Sequence, residues 1–312
     1  MKAVLHYGAS PGFRTSLAGL ADGLDIVVVD EESPDFAREI ADAEILLHVL
    51  KPVTRAMIEG APQLRLIQKI GVGVNTIDLD AARSRGVAVA NMPGTNSQAV
   101  AELALGLMLS VLRRIPALDA MTKGGHRWSP EPALIDSCGE ICGRTVGFLG
   151  FGEVPRRLAG AIEALGGSVL RHDPAAVPDA PGRAVDLDTL FGESDILSLH
   201  VPLTDATRHI VDAARLGRMR PGAVLINTAR GELVDEKALY DAIAEGRLRG
   251  AGLDVFEAEP VRADNPLLTL SGVVATPHLA WLTPETLARS MAVAGENYRR
   301  LAAGEPLLNR VV

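Results

Sequence analysis

Short apolar runs alternate with amphipathic stretches along the whole chain. In the first hundred residues the runs predict strands at 3–6, 25–29, 44–49, 65–70 and 87–90, with helical patterns at 34–41, 54–59 and 79–85 between them. A second series predicts strands at 145–149, 168–171, 196–200, 223–227, 251–255 and 273–275, and helices at 155–165, 212–217 and 236–245. Strands that alternate with helices imply parallel sheets covered on both faces. The fold class is α/β, with the six later strands matching a doubly wound dinucleotide unit and the earlier five forming a separate α/β domain. A helix over 99–113 is apolar on nearly every face, which predicts burial between domains or between subunits. The Pro- and Gly-rich stretch 124–143 reads as a long connection that contributes to an oligomer contact.

A length of 312 residues fits about two domains. The composition, 47% hydrophobic and 22% charged, is globular. A net charge of −8 gives no long-range attraction for nucleic-acid phosphates or anionic lipid, so neither is expected as a partner. The most apolar stretch, 99–112, carries Glu102 and falls short of the ~20 residues that span a bilayer. The N-terminal apolar run is too short for a secretory signal. Cys138 and Cys142 cannot build a disulfide framework, and their spacing without neighbouring ligands is poor for zinc. No metal is expected, both thiols are read as inert, and the expected location is the cytoplasm.

The segment TVGFLGFGEVPRRLAGAIEALGGSVLRHDP, residues 145–174, orders a strand, a glycine turn, an amphipathic helix and a second strand that ends at Asp173. Gly150 permits a tight turn and Gly152 lets a pyrophosphate approach the backbone, where the helix start offers free N–H groups and its positive dipole end. Asp173, 21 residues after Gly152, stands where an acid accepts from an adenosine ribose. An ordinary strand–turn–helix shares the glycines, but not the terminal acid. Pro155 occupies the place of the third glycine of this motif. A first helical turn tolerates proline, yet its ring takes space that glycine leaves open, setting the helix slightly farther out. Pro174, Ala175 and Ala176 offer nothing to a 2′-phosphate and Asp173 repels one, so NAD is favoured over NADP, against the pull of Arg171 and His172.

Three polar groups follow at or just past strand ends: Arg230 in NTARGELVD, Glu259 in DVFEAEP and His278 in TPHLAW. Ligands of open α/β sheets bind at the carboxyl ends of the strands, so the three can converge. Taken singly, each also reads as a loop or surface residue. Together they suit hydride exchange at a 2-oxo acid, where the carbonyl oxygen gains charge and needs a proton. Histidine exchanges protons near neutral pH. A carboxylate hydrogen-bonded to it, the role open to Glu259, favours the imidazolium and fixes the ring. Arg230 can orient the substrate carboxylate and polarise the carbonyl. The turn Gly71-Val72-Gly73-Val74 can aim adjacent N–H groups at an anion.

The segments IGVGVNTIDLDAARSRGVAVANMPGTNSQAVAE, TVGFLGFGEV, LHVPLTDATRHIV, PGAVLINTARGELVDEKAL, GAGLDVFEAEP and ATPHLAWLTPET, in this order, resemble the D-isomer-specific 2-hydroxyacid dehydrogenase family over essentially the whole chain. The resemblance implies a Rossmann coenzyme domain, 99–284, inserted into a flavodoxin-like substrate domain, 1–98 with 285–312, with crossings near Gln98 and Pro284 and the active site in the cleft. It implies catalysis by Arg230, Glu259 and His278. It sets the substrate carboxylate at Val72 and Gly73, near Leu50 and Lys51, with Asn96 facing the same cleft. For NAD it implicates Gly150, Gly152, Glu153 and Val154 at the pyrophosphate, Asp173 at the ribose, Val201 and Pro202 near the adenine, and Thr228, Ala229 and Asp254 at the nicotinamide end. It also implies a homodimer.

His200 and His209 are read as structural, Trp281 as pocket lining or packing, and Trp128 as a residue that could reach a neighbouring subunit's cleft. The resemblance favours reduction of glyoxylate or hydroxypyruvate, because TPHLAW is similar to some hydroxypyruvate reductases. Phosphoglycerate oxidation is the alternative, with Lys51 placed either to meet a phosphate or to lie in solvent. Formate dehydrogenases, which are similar in fold, have glutamine where Glu259 stands. A dinucleotide-sensing, corepressor-like binding protein is the alternative of another class.

Overall fold

The computed structural model describes residues 1–20, 24–30, 33–125, 132–175 and 178–312. The chain divides into two compact units, one of Met1–Asn96 with Trp281–Val312 and one of Ser97–Ala280. Trp128 and Ala176 lie outside the described residues.

The first unit carries a five-stranded sheet of β1 (Lys2–His6), β2 (Asp25–Val29), β3 (Ile45–His48), β4 (Leu66–Lys69) and β5 (Ala88–Ala90). The strands run parallel in the order β2-β1-β3-β4-β5, the flavodoxin-like arrangement. β3 and β4 are buried at every residue, as suits central strands with helices on both faces. On one face Val4, Leu46, Ile67 and Val89 pack with Phe36, Ile58, Ala81 and Ala82 from the helices Phe36–Ile40, Arg55–Glu59 and Leu79–Arg85. On the other, Leu5, Leu47 and Leu66 meet Leu287, Met291 and Ala294 of the helix Pro284–Ala303. That long helix is absent from the expectations, although its ends are well marked. Thr283 caps it, Pro284 opens it and Gly304 closes it in the left-handed conformation. The helix Pro11–Leu20, with two glycines and few apolar positions, is likewise not among them.

The second unit carries seven parallel strands: β6 (Thr145–Leu149), β7 (Ser168–His172), β8 (Arg183–Ala184), β9 (Ile196–Leu199), β10 (Ala223–Asn227), β11 (Leu248–Leu253) and β12 (Val273–Ala275). Their order, β12-β11-β10-β9-β6-β7-β8, is the Rossmann arrangement with one further strand. The strand beyond the expected six is β8, two exposed residues too short to leave a pattern in the sequence. β11 begins three residues earlier than the apolar run suggests, because Leu248 and Gly250 pair with β10 across a register shift that leaves Arg249 between them unpaired. Asp186, Asp212 and Asp235 each cap a following helix by accepting from the N–H three residues on.

The apolar helix spans Ser97–Leu112. Ala104, Leu107, Met108 and Val111 are buried against Val146, Phe148, Val224 and Ile226 of its own sheet. Leu103, Leu105 and Leu109 are only partly covered.

Candidate active site

β6 and β9 are neighbours whose connections leave in opposite directions, and this is the switch point where open α/β sheets bind ligands. Gly150 follows β6 with φ +88°. A β-carbon there would lie 2.7 Å from the His200 carbonyl oxygen, which is backbone after β9 and cannot yield. Glycine is therefore required for the two strand ends to approach. Gly152 ends the turn, with no atom within 4 Å of the place a β-carbon would take. The helix Glu153–Ala164 then starts without a side-chain cap, and the N–H groups of Glu153 and Val154 have no intrahelical partner. Pro155 is its third residue, so the missing donor removes no intrahelical bond, and its ring is buried on the same face as Leu158 and Ile162. Glu153 turns its carboxylate to Arg157 at 2.8 Å, which offsets a negative charge beside an anion site.

Asp173 stands just past β7. Its Oδ2 accepts from Phe151 N at 2.7 Å and its Oδ1 from Ala175 N at 2.8 Å, so the acid fixes the glycine turn as well as facing it. Val201 is buried and Pro202 exposed, immediately after β9.

The β10 end is organised by Asn227, the first residue of NTARGELVD, whose role the motif itself does not show. Its side chain is 1% exposed, donates to Arg230 O at 2.8 Å and accepts from Ala229 N at 3.0 Å, closing the turn that carries Thr228, Ala229 and Arg230. The Thr228 hydroxyl is buried there with no hydrogen-bond partner among the described residues. Gly231 lies so close to the Phe256 carbonyl that a β-carbon would stand 2.0 Å from its oxygen. This contact presses the Arg230 turn against the segment leading to Glu259. Burial lowers the Arg230 guanidinium below its usual range, opposed by the charges of Glu259 and Glu232, but it remains a cation.

Nδ1 of His278 donates to Oε2 of Glu259 at 2.6 Å, and Oε1 of Glu259 accepts from Phe256 N at 3.1 Å. Burial acts to raise the Glu259 carboxyl. The His278 hydrogen bond and charge, the Phe256 N–H and the charge of Arg230 outweigh it and hold the group below the ordinary carboxylate range. His278 itself has φ +53°, an uncommon conformation for a residue with a side chain. Asp254, 1% exposed, enforces it. Its carbonyl accepts from His278 N at 2.7 Å, and its carboxylate accepts from Thr276 Oγ1, Leu279 N and Ala280 N at 2.6, 2.9 and 2.9 Å. Burial raises the Asp254 carboxyl above its usual range in spite of these bonds. The side chain thus faces the histidine loop, a positioning arrangement that spacing alone does not reveal.

In the first unit, the turn after β4 has its carbonyls occupied on one side. Met92 N donates to Gly71 O at 2.8 Å and Asn91 Nδ2 to Val72 O at 2.9 Å. In a trans peptide the following N–H points the opposite way, so Val72 N–H and Gly73 N–H face together away from β5. Val72 is 49% exposed, and adjacent N–H groups aimed the same way are the arrangement that suits an anion. Leu50 and Lys51 follow β3, and Asn96 closes the first stretch of this unit. Trp281 packs edge-on to Tyr7 with ring centroids 5.9 Å apart, in the core under the Pro284–Ala303 helix.

His200 accepts or shares a proton with Ser198 Oγ at 2.9 Å, and burial pushes it down to about 3. His209 pairs with Glu257 at 2.8 Å. Cys138 and Cys142 are free thiols. Among the described residues no cluster of His, Cys, Asp or Glu has the makings of a metal site.

Residues 105–280 match the family described as D-isomer specific 2-hydroxyacid dehydrogenase, NAD binding domain. The chain belongs to this family. A hydroxypyruvate reductase of Thermotoga maritima is 39% identical over 279 residues, covering 88% of this chain and 90% of that protein. A D-3-phosphoglycerate dehydrogenase of Methanocaldococcus jannaschii is 38% identical over 277 residues, but these make up only 52% of its length. This chain therefore spans about half of that relative. Among solved structures, the TT0316 protein from Thermus thermophilus superposes over all of both chains with a TM-score of 0.90 and 33% identity. The family's NAD-binding domain fits what the second unit offers: a glycine cradle at Gly150, N–H groups without intrahelical partners after Gly152 and an orphaned hydroxyl at Thr228.

Proposed function

We propose that this chain reduces a small 2-oxo acid to the D-2-hydroxy acid with NADH, with glyoxylate or hydroxypyruvate as substrate. The observation that carries the reading is the His278–Glu259 hydrogen bond of 2.6 Å, with Arg230 acting on the same carboxylate. The cofactor would be held by Gly150, Gly152, Glu153 and Val154 at the pyrophosphate and by Asp173 at the ribose. Val201 and Pro202 would flank the adenine, with Thr228, Ala229 and Asp254 toward the nicotinamide. When bound, it supplies the hydride. Asp173 favours NAD over NADP, since a carboxylate repels a 2′-phosphate.

The chain's own groups then have distinct tasks. Val72 N–H and Gly73 N–H bind the substrate carboxylate, beside Leu50, Lys51 and Asn96. Arg230 orients that carboxylate and polarises the carbonyl. Because Glu259 takes Nδ1 of His278, Nε2 is the nitrogen left to give a proton to the carbonyl oxygen, and Glu259 stabilises the charged ring beforehand. In oxidation the neutral ring accepts the hydroxyl proton. Relatives named D-3-phosphoglycerate dehydrogenase support oxidation of a phosphorylated hydroxy acid as a second reading.

The partly covered Leu103, Leu105 and Leu109 support a homodimer built on the Ser97–Leu112 helix. The free thiols support a reducing, cytoplasmic setting. The deciding test is oxidation of NADH and NADPH with glyoxylate, hydroxypyruvate, pyruvate, 2-ketogluconate and phosphohydroxypyruvate. Preference for glyoxylate or hydroxypyruvate with NADH is the expected result. Preference for phosphohydroxypyruvate selects the second reading, and no turnover with any acid while NADH binds overturns both.

A further inference from the structure

One buried cation of the first unit has no part in the scheme above. Lys69, the last residue of β4, is 6% exposed, and lysine is seldom buried so deeply without a task. In register, Lys69 lies beside His48 of β3, and His48 beside His6 of β1. Three basic side chains thus form a row on one face at the carboxyl edge of the sheet. The middle one carries no charge. Burial, and then the charges of Lys69 and His6, push the His48 ring down to about 2, and its Nε2 bonds Thr76 Oγ1 at 2.8 Å.

Lys69 connects two loops. Its Nζ donates to the carbonyl of Val49, which leads into Leu50 and Lys51. Its Cε lies 3.6 Å from the place a β-carbon on Gly71 would take. The donors Val72 N–H and Gly73 N–H point away from β5, toward the side on which β3 and the Val49 loop lie. The ammonium therefore sits beneath the turn that offers these donors.

We propose that Lys69 is a positioning residue for the acid group of the substrate. It fixes the loop after β3 against the turn after β4, and its buried charge strengthens the attraction of the two N–H groups for a carboxylate. The inference rests on the reading that this turn takes the substrate carboxylate. A charge a few ångströms below an anion, poorly screened by solvent, acts more strongly on a dianion than on a monoanion. A purely structural tie would not distinguish the two.

The test compares Lys69→Met and Lys69→Arg in the full chain. It reads steady-state reduction of glyoxylate, inhibition by oxalate and by oxamate, NADH binding by fluorescence, and thermal midpoint. Lys69→Met is expected to raise the KM for glyoxylate and the oxalate inhibition constant roughly tenfold, and the oxamate constant less. NADH affinity stays as in the parent, and Lys69→Arg recovers most of both losses. Unchanged KM and oxalate inhibition in Lys69→Met overturn the proposal. So do equal losses for oxalate and oxamate, or equal losses in the Met and Arg variants. A parent enzyme that turns over none of the acids and ignores oxalate instead removes the functional reading beneath it.

Discussion

Oε2 of Glu259 lies 2.6 Å from Nδ1 of His278, and the loop that delivers the histidine is pinned by four hydrogen bonds to Asp254. The acid fixes which ring nitrogen remains for chemistry, and the aspartate fixes where the ring stands. His278→Gln is expected to lower turnover by about 10²–10⁴, with NADH affinity retained. Glu259→Gln keeps the shape but removes the carboxylate that accepts from Nδ1 of His278. Turnover is expected to fall about tenfold or more, with NADH affinity retained. Parent-like turnover would remove Glu259 from the proton path.

Gly231 invites a sharper test, because it touches neither substrate nor cofactor in the proposed scheme. Gly231→Ala puts a methyl group into the Phe256 carbonyl, so one of the two segments must move. A loss of about 1–3 kcal/mol in stability is expected, together with a fall in kcat, while Arg230, Glu259 and His278 are all still present. Denaturant unfolding and steady-state kinetics on one preparation measure both. Parent-like values in each would mean that the Arg230 turn does not depend on this contact.

Asp173→Ala should weaken NADH by roughly tenfold or more, the scale of a lost hydrogen bond to a charged group, and narrow the preference over NADPH. The substitution also removes the acceptor for Phe151 N, so a small drop in thermal midpoint accompanies it. Titration with both cofactors separates the effects. Unchanged NADH affinity would assign the acid to the turn alone.

Acid should destabilise the protein earlier than its carboxylates require. His200 is held neutral by burial, down to about 3 from an ordinary 6.5. The unfolded chain binds the proton more readily, so the stability this ring contributes is complete above pH 6.5 and is lost as the pH falls toward 3. His48, pushed down to about 2, acts in the same direction. The free energy of unfolding should decline between pH 7 and pH 5, by at most about 1.4 kcal/mol per pH unit for each ring. His200→Gln should show a shallower decline. An identical slope would place the sensitivity elsewhere.

Much of this arrangement is legible from strand ends. A parallel strand buried on both faces leaves a continuous apolar run, so the polar or glycine residue that follows marks the carboxyl edge, as Gly150, Asp173 and Arg230 do. The helix Pro284–Ala303 is equally open to reading from its caps, yet is easily missed because the TPHLAW motif draws attention to the residues before it. Other features depend on contacts between distant segments. No local pattern shows that Gly231 meets Phe256, that Asn227 closes the Arg230 turn, or that Asp254 spends both carboxylate oxygens on the histidine loop. Lys69 is hidden for a related reason. A lysine after an apolar run looks like a solvated strand end until the register sets it beside His48.

The double attachment of Asp173, to Phe151 and to Ala175, bears on how a nucleotide arrives. A loop already held in shape has little freedom left to surrender on binding, so the entropic cost of docking is met during folding. Association at this end of the molecule should then follow simple encounter kinetics, with rates that rise in proportion to nucleotide concentration and show no plateau from loop ordering.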